Sequence, residues 1–205
     1  MQLRFCLLSI VLILVGGFAL PAFSQEVTPE EKAAGFVSLF NGKDFSGWRF
    51  GEESPPKELP ANWKVEDGVI KVTGGGKPHL ASAAEYGDFE LRLQWRGLKE
   101  KYNSGLYIRS GKNVGANQLN LAYRNEGAPV GLKLEGAKAA GDLQKPAGEW
   151  NEWYVIVQGD TVTLICNGRQ AWQTTGLKPA KGYIGMQAEG AAMEFKNIRL
   201  REIKG

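Results

Sequence analysis

Polar side chains alternate with apolar ones in three segments of this chain, which is the pattern of strands that bury one face. The polar positions are Glu90, Arg92 and Gln94 in DFELRLQWRG, Tyr107 and Arg109 in NSGLYIRSG, and Gln118 and Asn120 in NQLNLAYRN. They offer carboxylate, guanidinium, amide and phenol groups, which between them donate and accept hydrogen bonds. Such a face could bind a ligand rich in hydroxyl groups, or it could simply face solvent.

Arg109 and Gln118 lie on strands that follow one another in the sequence and are expected to pair. Adjacent antiparallel strands bring side chains on one face to about 5 Å between Cβ atoms, so we expect these two side by side. A guanidinium offers fixed donors that suit a carbonyl or enolate oxygen. Arg109 is therefore a candidate catalytic residue, and Tyr107, which has the same parity, is a candidate for stacking on a ring.

Three further residues could take part in chemistry. His79 is the single histidine and lies in the loop GGGKPHLAS, where it could be a base, a metal ligand or an exposed side chain. Glu126, a candidate acid, and Lys133 lie in the glycine-rich segment 125–148. No His, Cys and carboxylate cluster has metal-ligand spacing, so neither a metal nor another cofactor is predicted. The paired-acid spacing E-x-D-x-x-E is absent, which argues against the retaining chemistry of ordinary β-glucanases.

Tryptophans frame the stretch GEWNEWYVIVQGDTVTLICNGRQAW, which reads as a double hairpin. Trp153 leads its first strand, and Trp150, like Trp48, is interpreted as core or rim packing because a buried indole contributes a large apolar area. Trp172 follows the Asn167-Gly168 turn and is the better candidate for an exposed platform that binds substrate.

The rest of the chain reads as short strands joined by tight turns. It has 205 residues, a net charge of +3, 43% hydrophobic residues, 27 glycines and 6 tryptophans. The charge bias is too small to suggest a nucleic-acid partner. Asp67-Gly68 and Asn167-Gly168 are strong hairpin signals. Ten or more strands without a helix of three turns predict an all-β sandwich or barrel.

The chain begins with a different kind of segment. Residues 1–24 combine one early Arg, an apolar run, and small residues before Gln25, which predicts a secretory signal peptide. Residues 25–35 form a polar lead-in with one helical turn started by Thr28-Pro29, and residues 36–205 form the single domain. We therefore predict a periplasmic or secreted protein with no stable membrane insertion after cleavage. Only Cys166 would remain, as a small buried hydrophobe that cannot form an internal disulfide.

Six ordered motifs resemble one known family. They are LFNGKDFSGW, YGDFELRLQWR, NSGLYIRS, AGEWNEW, CNGRQAW and GYIGMQAEGAAMEFKNIRLREI. Together they resemble the 3-keto-disaccharide hydrolase family over nearly the whole mature chain. The resemblance implies a concanavalin A-like jelly roll of two curved antiparallel sheets, in which the segments near Val37 and near Ile198 are expected to pair as neighbouring strands. It also implies an exported protein that binds carbohydrate and cleaves glycosides oxidised at C3, by hydrolysis or by elimination and hydration.

One segment departs from the family pattern. The strand after the NSG motif commonly reads aromatic-Glu-x-Gln-x-x-Asp in the family. Aligned on Gln118, this chain has Ala116 in place of the Glu and Leu121 in place of the Asp. The alternative hypothesis is therefore a carbohydrate-binding module of the cell envelope that has no catalytic activity.

Overall fold

The computed structural model describes residues 27–50 and 58–204 of the chain. The predicted signal peptide lies outside the described residues. Within the described ranges, no helix is both long enough and apolar enough to cross a membrane.

The described chain consists of one short α-helix, fourteen strands and one 3-10 helix at Gly141–Leu143. The helix is α1 (Pro29–Ala33), and the strands are β1 (Val37–Ser38), β2 (Trp48–Phe50), β3 (Trp63–Glu66), β4 (Val69–Val72), β5 (Leu80–Tyr86), β6 (Phe89–Gly97), β7 (Gly105–Ser110), β8 (Gln118–Asn120), β9 (Pro129–Val130), β10 (Asn151–Gln158), β11 (Thr161–Cys166), β12 (Arg169–Thr174), β13 (Gly182–Met186) and β14 (Met193–Glu202).

These strands form two antiparallel sheets. The eight-stranded sheet has the order β12-β11-β10-β6-β14-β4-β3, with β1 also paired to β14, and the six-stranded sheet has the order β2-β5-β13-β7-β8-β9. Apolar side chains from both sheets, such as Leu91, Val155, Leu106 and Ile108, meet in one core cluster. The predicted all-β jelly-roll sandwich is confirmed.

Two hairpin turns follow from their residue types. Asp67 and Gly68 have φ of 53° and 75°, and Asn167 and Gly168 have φ of 50° and 80°. A two-residue turn with positive φ at both positions matches the right-handed twist of the flanking strands, and Asx-Gly pairs tolerate it. These turns position β3 against β4 and β11 against β12.

The N-terminal segment is fixed to the sandwich by a capped helix and a short strand. The hydroxyl of Thr28 accepts from the backbone N–H of Glu31 at 3.2 Å, and the Glu31 carboxylate accepts from the Thr28 N–H at 3.3 Å, which is a capping box. In the following strand Val37 lies opposite Leu200. The predicted helical turn and the predicted pairing of segments near Val37 and Ile198 are therefore confirmed.

Aromatic side chains fill the space between the sheets. Trp48, Trp95 and Trp153 are fully buried, and the last two make an edge-on contact with ring centroids 5.5 Å apart. Cys166 is buried as expected, and burial raises the pKa of its thiol to about 11.

Trp172 also belongs to this core, with 7% of its surface exposed. In β12 it lies directly opposite Leu164, a core residue of β11. Side chains directly opposite on paired strands share a face, so the indole points inward. The prediction that Trp172 forms an exposed platform was wrong.

Candidate functional site

The polar positions predicted from strand parity lie on opposite outer faces of the sandwich. Glu90 and Gln94 lie on β6 of the eight-stranded sheet, whereas Tyr107 and Gln118 lie on β7 and β8 of the six-stranded sheet. Glu90 accepts a hydrogen bond from the Tyr154 hydroxyl at 2.5 Å, and Gln94 accepts one from the side chain of Asn197 at 2.9 Å. The expectation that one groove contains both sets is thereby corrected. Parity tells which face of a strand is polar, but it does not tell which sheet the strand joins.

A compact group of polar residues occupies the outer face of the six-stranded sheet. Tyr107 lies directly opposite Gln118 in the β7–β8 pairing, and the imidazole of His79 packs 5.5 Å from the Tyr107 ring, centroid to centroid. We call this group, which also includes Gln187 and Glu189, the Tyr107 cluster. It contains three residues predicted from the sequence and two that were not.

An amide network and a glycine shape the floor of the cluster. The side chain of Gln118 donates to the side-chain oxygen of Gln187 at 3.0 Å. Beside Tyr107, a Cβ at Gly185 would lie 2.7 Å from the Leu80 carbonyl oxygen and 3.3 Å from the Tyr107 ring. The aromatic ring therefore lies close over the neighbouring strand, where only glycine leaves enough room.

Asn120 shares this face because it lies opposite Gly105 in the same strand pairing. It is 8% exposed. Its backbone N–H donates to the carbonyl of Ala128 and its own carbonyl accepts from the N–H of Gly127, both of them just before β9. It thus flanks the Tyr107 cluster, as its parity predicted.

Glu189 is the carboxylate that the sequence reasoning missed. Ala188 is buried in the core, and Gln187 contacts Gln118, so the alternation of β13, continued past its end, predicts Glu189 on the outer side with Gln187. Its charge is close enough to Tyr107 to contribute to raising the pKa of that phenol. The alternation in GYIGMQAEG, continued beyond the end of β13, was the signal that could have found it.

The two ring side chains of the cluster differ in exposure: Tyr107 is 1% exposed, and His79 is half-buried. Burial, and then the charge of Glu189, raise the pKa of Tyr107 to about 12, so its hydroxyl keeps its proton at neutral pH. The Nδ1 atom of His79 accepts from the backbone N–H of Ala188 at 3.2 Å. A neutral His79 must then carry its proton on Nε2.

We expect His79 to titrate below its ordinary pKa of 6.5. Burial and then the charge of Lys77 lower its pKa, and protonation would put a hydrogen on Nδ1 and break the bond from Ala188. Because the folded pKa is depressed, the stabilisation is present above pH 6.5 and is lost as the pH falls through the folded pKa. NMR titration of the one imidazole in the chain measures this directly. A pKa at or above 6.5 would contradict the environment described.

The structure does not place Arg109 beside Gln118. Its backbone has φ of +43°, which departs from extended geometry and turns the side chain toward the end of the sandwich. There it donates to the carbonyl oxygens of Gly87 at 2.8 Å and Gly159 at 2.6 Å and pairs with Asp88 at 2.6 Å. Arg109 is only 1% exposed, and its side chain links the turns at Gly87 and Gly159. The expected side-by-side placement with Gln118 was wrong.

Glu126 and Lys133 also lie outside the Tyr107 cluster. Glu126 is buried in the loop between β8 and β9, where it accepts hydrogen bonds from the Tyr102 hydroxyl and from the Arg124 N–H. It lines a separate pocket of about 760 Å³ that also includes Tyr123. Lys133 is exposed on the loop that follows β9.

In residues 27–50 and 58–204, no group of three His, Cys, Asp or Glu side chains is arranged to hold a metal ion.

Comparison with known proteins identifies the family. Residues 35–201 match the model of the 3-keto-alpha-glucoside-1,2-lyase-like domain. The chain belongs to this family. A relative from Bacteroides thetaiotaomicron called 3-keto-disaccharide hydrolase is 27% identical, and the match covers 82% of this chain and 79% of the relative.

Solved structures of more distant proteins share the jelly-roll fold. A proposed glycosyl hydrolase from Parabacteroides distasonis superposes with a TM-score of 0.69 at 23% identity, covering 88% of this chain and 99% of that one. A carbohydrate-binding module from Bacillus subtilis gives a TM-score of 0.60 at 14% identity, covering 78% and 98%. A β-glucanase from Bacillus licheniformis gives 0.54 at 10% identity, covering 82% and 97%. At these identities the likeness concerns the fold alone.

The structure also locates the two positions at which the family resemblance implied acids. Ala116 is exposed in the loop before β8, and Leu121, just after β8, is fully buried in the core. A carboxylate at position 121 would therefore point away from the Tyr107 cluster. Within the described part of that face, Glu189 is the acid whose charge acts on Tyr107.

Proposed function

We propose that this protein cleaves the glycosidic bond of 3-keto-glycosides by elimination across C1 and C2, followed by addition of water. The family description names a 1,2-lyase-like domain for 3-keto-α-glucosides, and the Bacteroides relative is named a 3-keto-disaccharide hydrolase. Elimination followed by hydration has the same net result as hydrolysis. The observation that carries the proposal is that the charge of Glu189 helps to raise the pKa of Tyr107, whose ring packs against His79.

The reaction needs a base at C2 and a donor at the C3 oxygen. A C3 carbonyl makes the C2 hydrogen acidic, and the Glu189 carboxylate takes that proton as general base. Negative charge then develops on the C3 oxygen, where the neutral hydroxyl of Tyr107 and the Nε2–H of His79 donate hydrogen bonds. The C1–O bond breaks, the leaving oxygen takes the proton held by Glu189, and a C1–C2 double bond forms. Water adds its oxygen at C1 and a hydrogen at C2.

Amide groups supply the remaining contacts in this proposal. Gln118 and Gln187 are held by their mutual hydrogen bond, and Asn120 flanks them on the same face. Amides both donate and accept, as sugar hydroxyl groups require. These side chains orient the ring so that its C2 hydrogen meets the base.

The proposal is tested with a 4-nitrophenyl 3-keto-α-glucoside and the parent 4-nitrophenyl α-glucoside. We expect release of nitrophenol from the keto compound only, because the parent lacks the acidic C2 hydrogen. A protein that binds the keto compound but releases no nitrophenol would instead be a carbohydrate-binding module. Ala116 and Leu121, which replace the acids of the family pattern, are the observation that favours this second function.

We further propose that the chain is exported. The segment before Gln25 has the charge, apolar run and small residues of a signal peptide. The mass of the protein recovered from outside the cytoplasm should then correspond to a chain that starts at Gln25. Recovery of the intact chain from the cytoplasm alone would contradict export.

A further inference from the structure

The loop of residues 111–117, which joins β7 to β8, packs against the Tyr107 cluster through one apolar side chain. Val114 is 5% exposed and forms a small buried contact group with Ala81 and Tyr107. A Cβ built on Gly185 would lie 3.1 Å from Cγ1 of Val114 and 3.3 Å from the Tyr107 ring. Val114 therefore lies beside the Tyr107 ring on the outer face of the sheet.

This contact controls access to Tyr107. Tyr107 is 1% exposed, and a side chain so covered cannot meet a sugar ring unless a neighbour moves. Tyr107 and Ala81 both lie opposite Gly185 in strand pairings, and His79 is held by a hydrogen bond from the backbone. Val114 is the member of the contact group that lies outside the strands. The loop that carries Val114 is therefore the neighbour that can move.

The backbone of Val114 is strained. Its φ is +20°, whereas a β-branched residue strongly favours negative φ, and a positive value persists only where the surroundings hold it. Residues strained in this way cluster at binding clefts and in segments that switch between conformations. The strain is present while the Val114 side chain is packed beside Tyr107, so movement away from the ring releases it.

A few hydrogen bonds tie the loop to the sheet. The backbone N–H groups of Gly115 and Ala116 donate to the hydroxyl oxygen of Ser110 at 3.2 Å and 3.3 Å, which is the long end of the usual range. The guanidinium of Arg49 donates to the carbonyl of Lys112. Both ties are made by side chains of the sheet, so rotation of those side chains releases the loop without breaking any strand pairing.

The two ends of the loop differ in how firmly they are fixed. At the β8 end, the buried side chain of Asn117 donates to the carbonyl of Arg109 at 3.0 Å. Gly111 and Gly115 are exposed, and a Cβ built on either would meet no described atom within 4 Å. The part of the loop before Asn117 therefore has space in which to move.

We propose that residues 111–116 form a lid that closes over Tyr107 through Val114 and opens to admit the keto sugar. This proposal rests on the proposed function, because the phenol that the lid covers is the one that donates to the C3 oxygen. Burial of the Val114 side chain favours the closed lid, and the strain in its backbone favours the open one. Because the open form binds the sugar, the measured affinity is the intrinsic affinity multiplied by the open fraction.

Hydrogen–deuterium exchange of the full chain, followed by NMR at the amides of Gly115 and Ala116, measures opening without any substrate. These amides should exchange faster than those of β7 and β13. Val114→Ala removes two buried methyl groups and should speed their exchange about tenfold. Ser110→Ala, which removes the acceptor of both hydrogen bonds, should also speed it. Val37→Ala is the matched control, because it removes the same groups from a position on the other sheet that is 60% exposed, and it should leave exchange unchanged.

Turnover of the 4-nitrophenyl 3-keto-α-glucoside tests what the lid does. Val114→Ala should raise kcat/KM several-fold, because a larger fraction of the protein is open. Loop amides that exchange as slowly as those of β7, or exchange unchanged in both Val114→Ala and Ser110→Ala, would overturn the lid. Faster exchange with kcat/KM unchanged or lowered would overturn it too, by showing that Val114 does not exclude the sugar. If the wild type releases no nitrophenol, the proposed reaction fails, and the exchange result still decides whether the loop opens.

Discussion

Glu189→Gln should lower the turnover of 3-keto-glucosides by about 10² to 10⁴-fold, the usual contribution of a general base. The substitution keeps the size and hydrogen-bonding shape of the side chain but removes its ability to take a proton. Glu189 lies beyond β13, next to Ala188 of the core, and its charge acts on Tyr107. Binding of the keto sugar should therefore change little, so the loss should appear in kcat rather than in KM.

Two further variants sharpen this result. Tyr107→Phe removes a single donor to the C3 oxygen and should cost about 10²-fold in turnover. Glu85→Gln is the matched control, because it removes an exposed carboxylate from β5 of the same sheet, and it should behave like the wild type. Full turnover in Glu189→Gln would show that another group removes the C2 proton.

Arg109→Ala should destabilise the fold by about 3 kcal/mol. The buried guanidinium satisfies the carbonyl oxygens of Gly87 and Gly159 and pairs with Asp88. Removing it leaves buried acceptors without donors, whereas Asp88, which is about one-third exposed, regains contact with water. The free energy of unfolding from urea titration measures the effect.

An exposed arginine provides the control for this measurement. Arg124→Ala removes an exposed side chain and should change the free energy of unfolding by less than about 0.5 kcal/mol. If Arg109→Ala unfolds like the wild type yet loses turnover, Arg109 contacts the sugar, as first expected from the sequence. That result would contradict a purely structural role in linking the turns.

Much of the fold could be predicted because strand parity and turn chemistry are local properties. The alternation in DFELRLQWRG gives the buried and outer faces of β6. Asp67-Gly68 and Asn167-Gly168 mark their hairpins because these residues accept positive φ. The pairing of Val37 with Leu200 joins the two ends of the domain and was expected from the family resemblance.

The composition of the site was harder to predict because it depends on sheet order. Glu90 and Tyr107 both alternate along their strands with apolar residues of the core. Their strands belong to different sheets, however, so the two side chains lie on opposite sides of the sandwich. Strand alternation did not predict the direction of the Arg109 side chain because the φ of Arg109 is positive. Glu189 was missed because it lies beyond the end of β13, where no strand pairing fixes the direction of its side chain.

Carrying out the reaction in D₂O tests the central claim most directly. Elimination removes the C2 hydrogen, and hydration then adds one from solvent, so the released 3-keto-glucose should carry deuterium at C2. Product incubated with Glu189→Gln under the same conditions corrects for spontaneous exchange beside the carbonyl. Deuterium at C2 above this control is the result we expect, and retention of the original hydrogen in newly released sugar would contradict removal of the C2 proton.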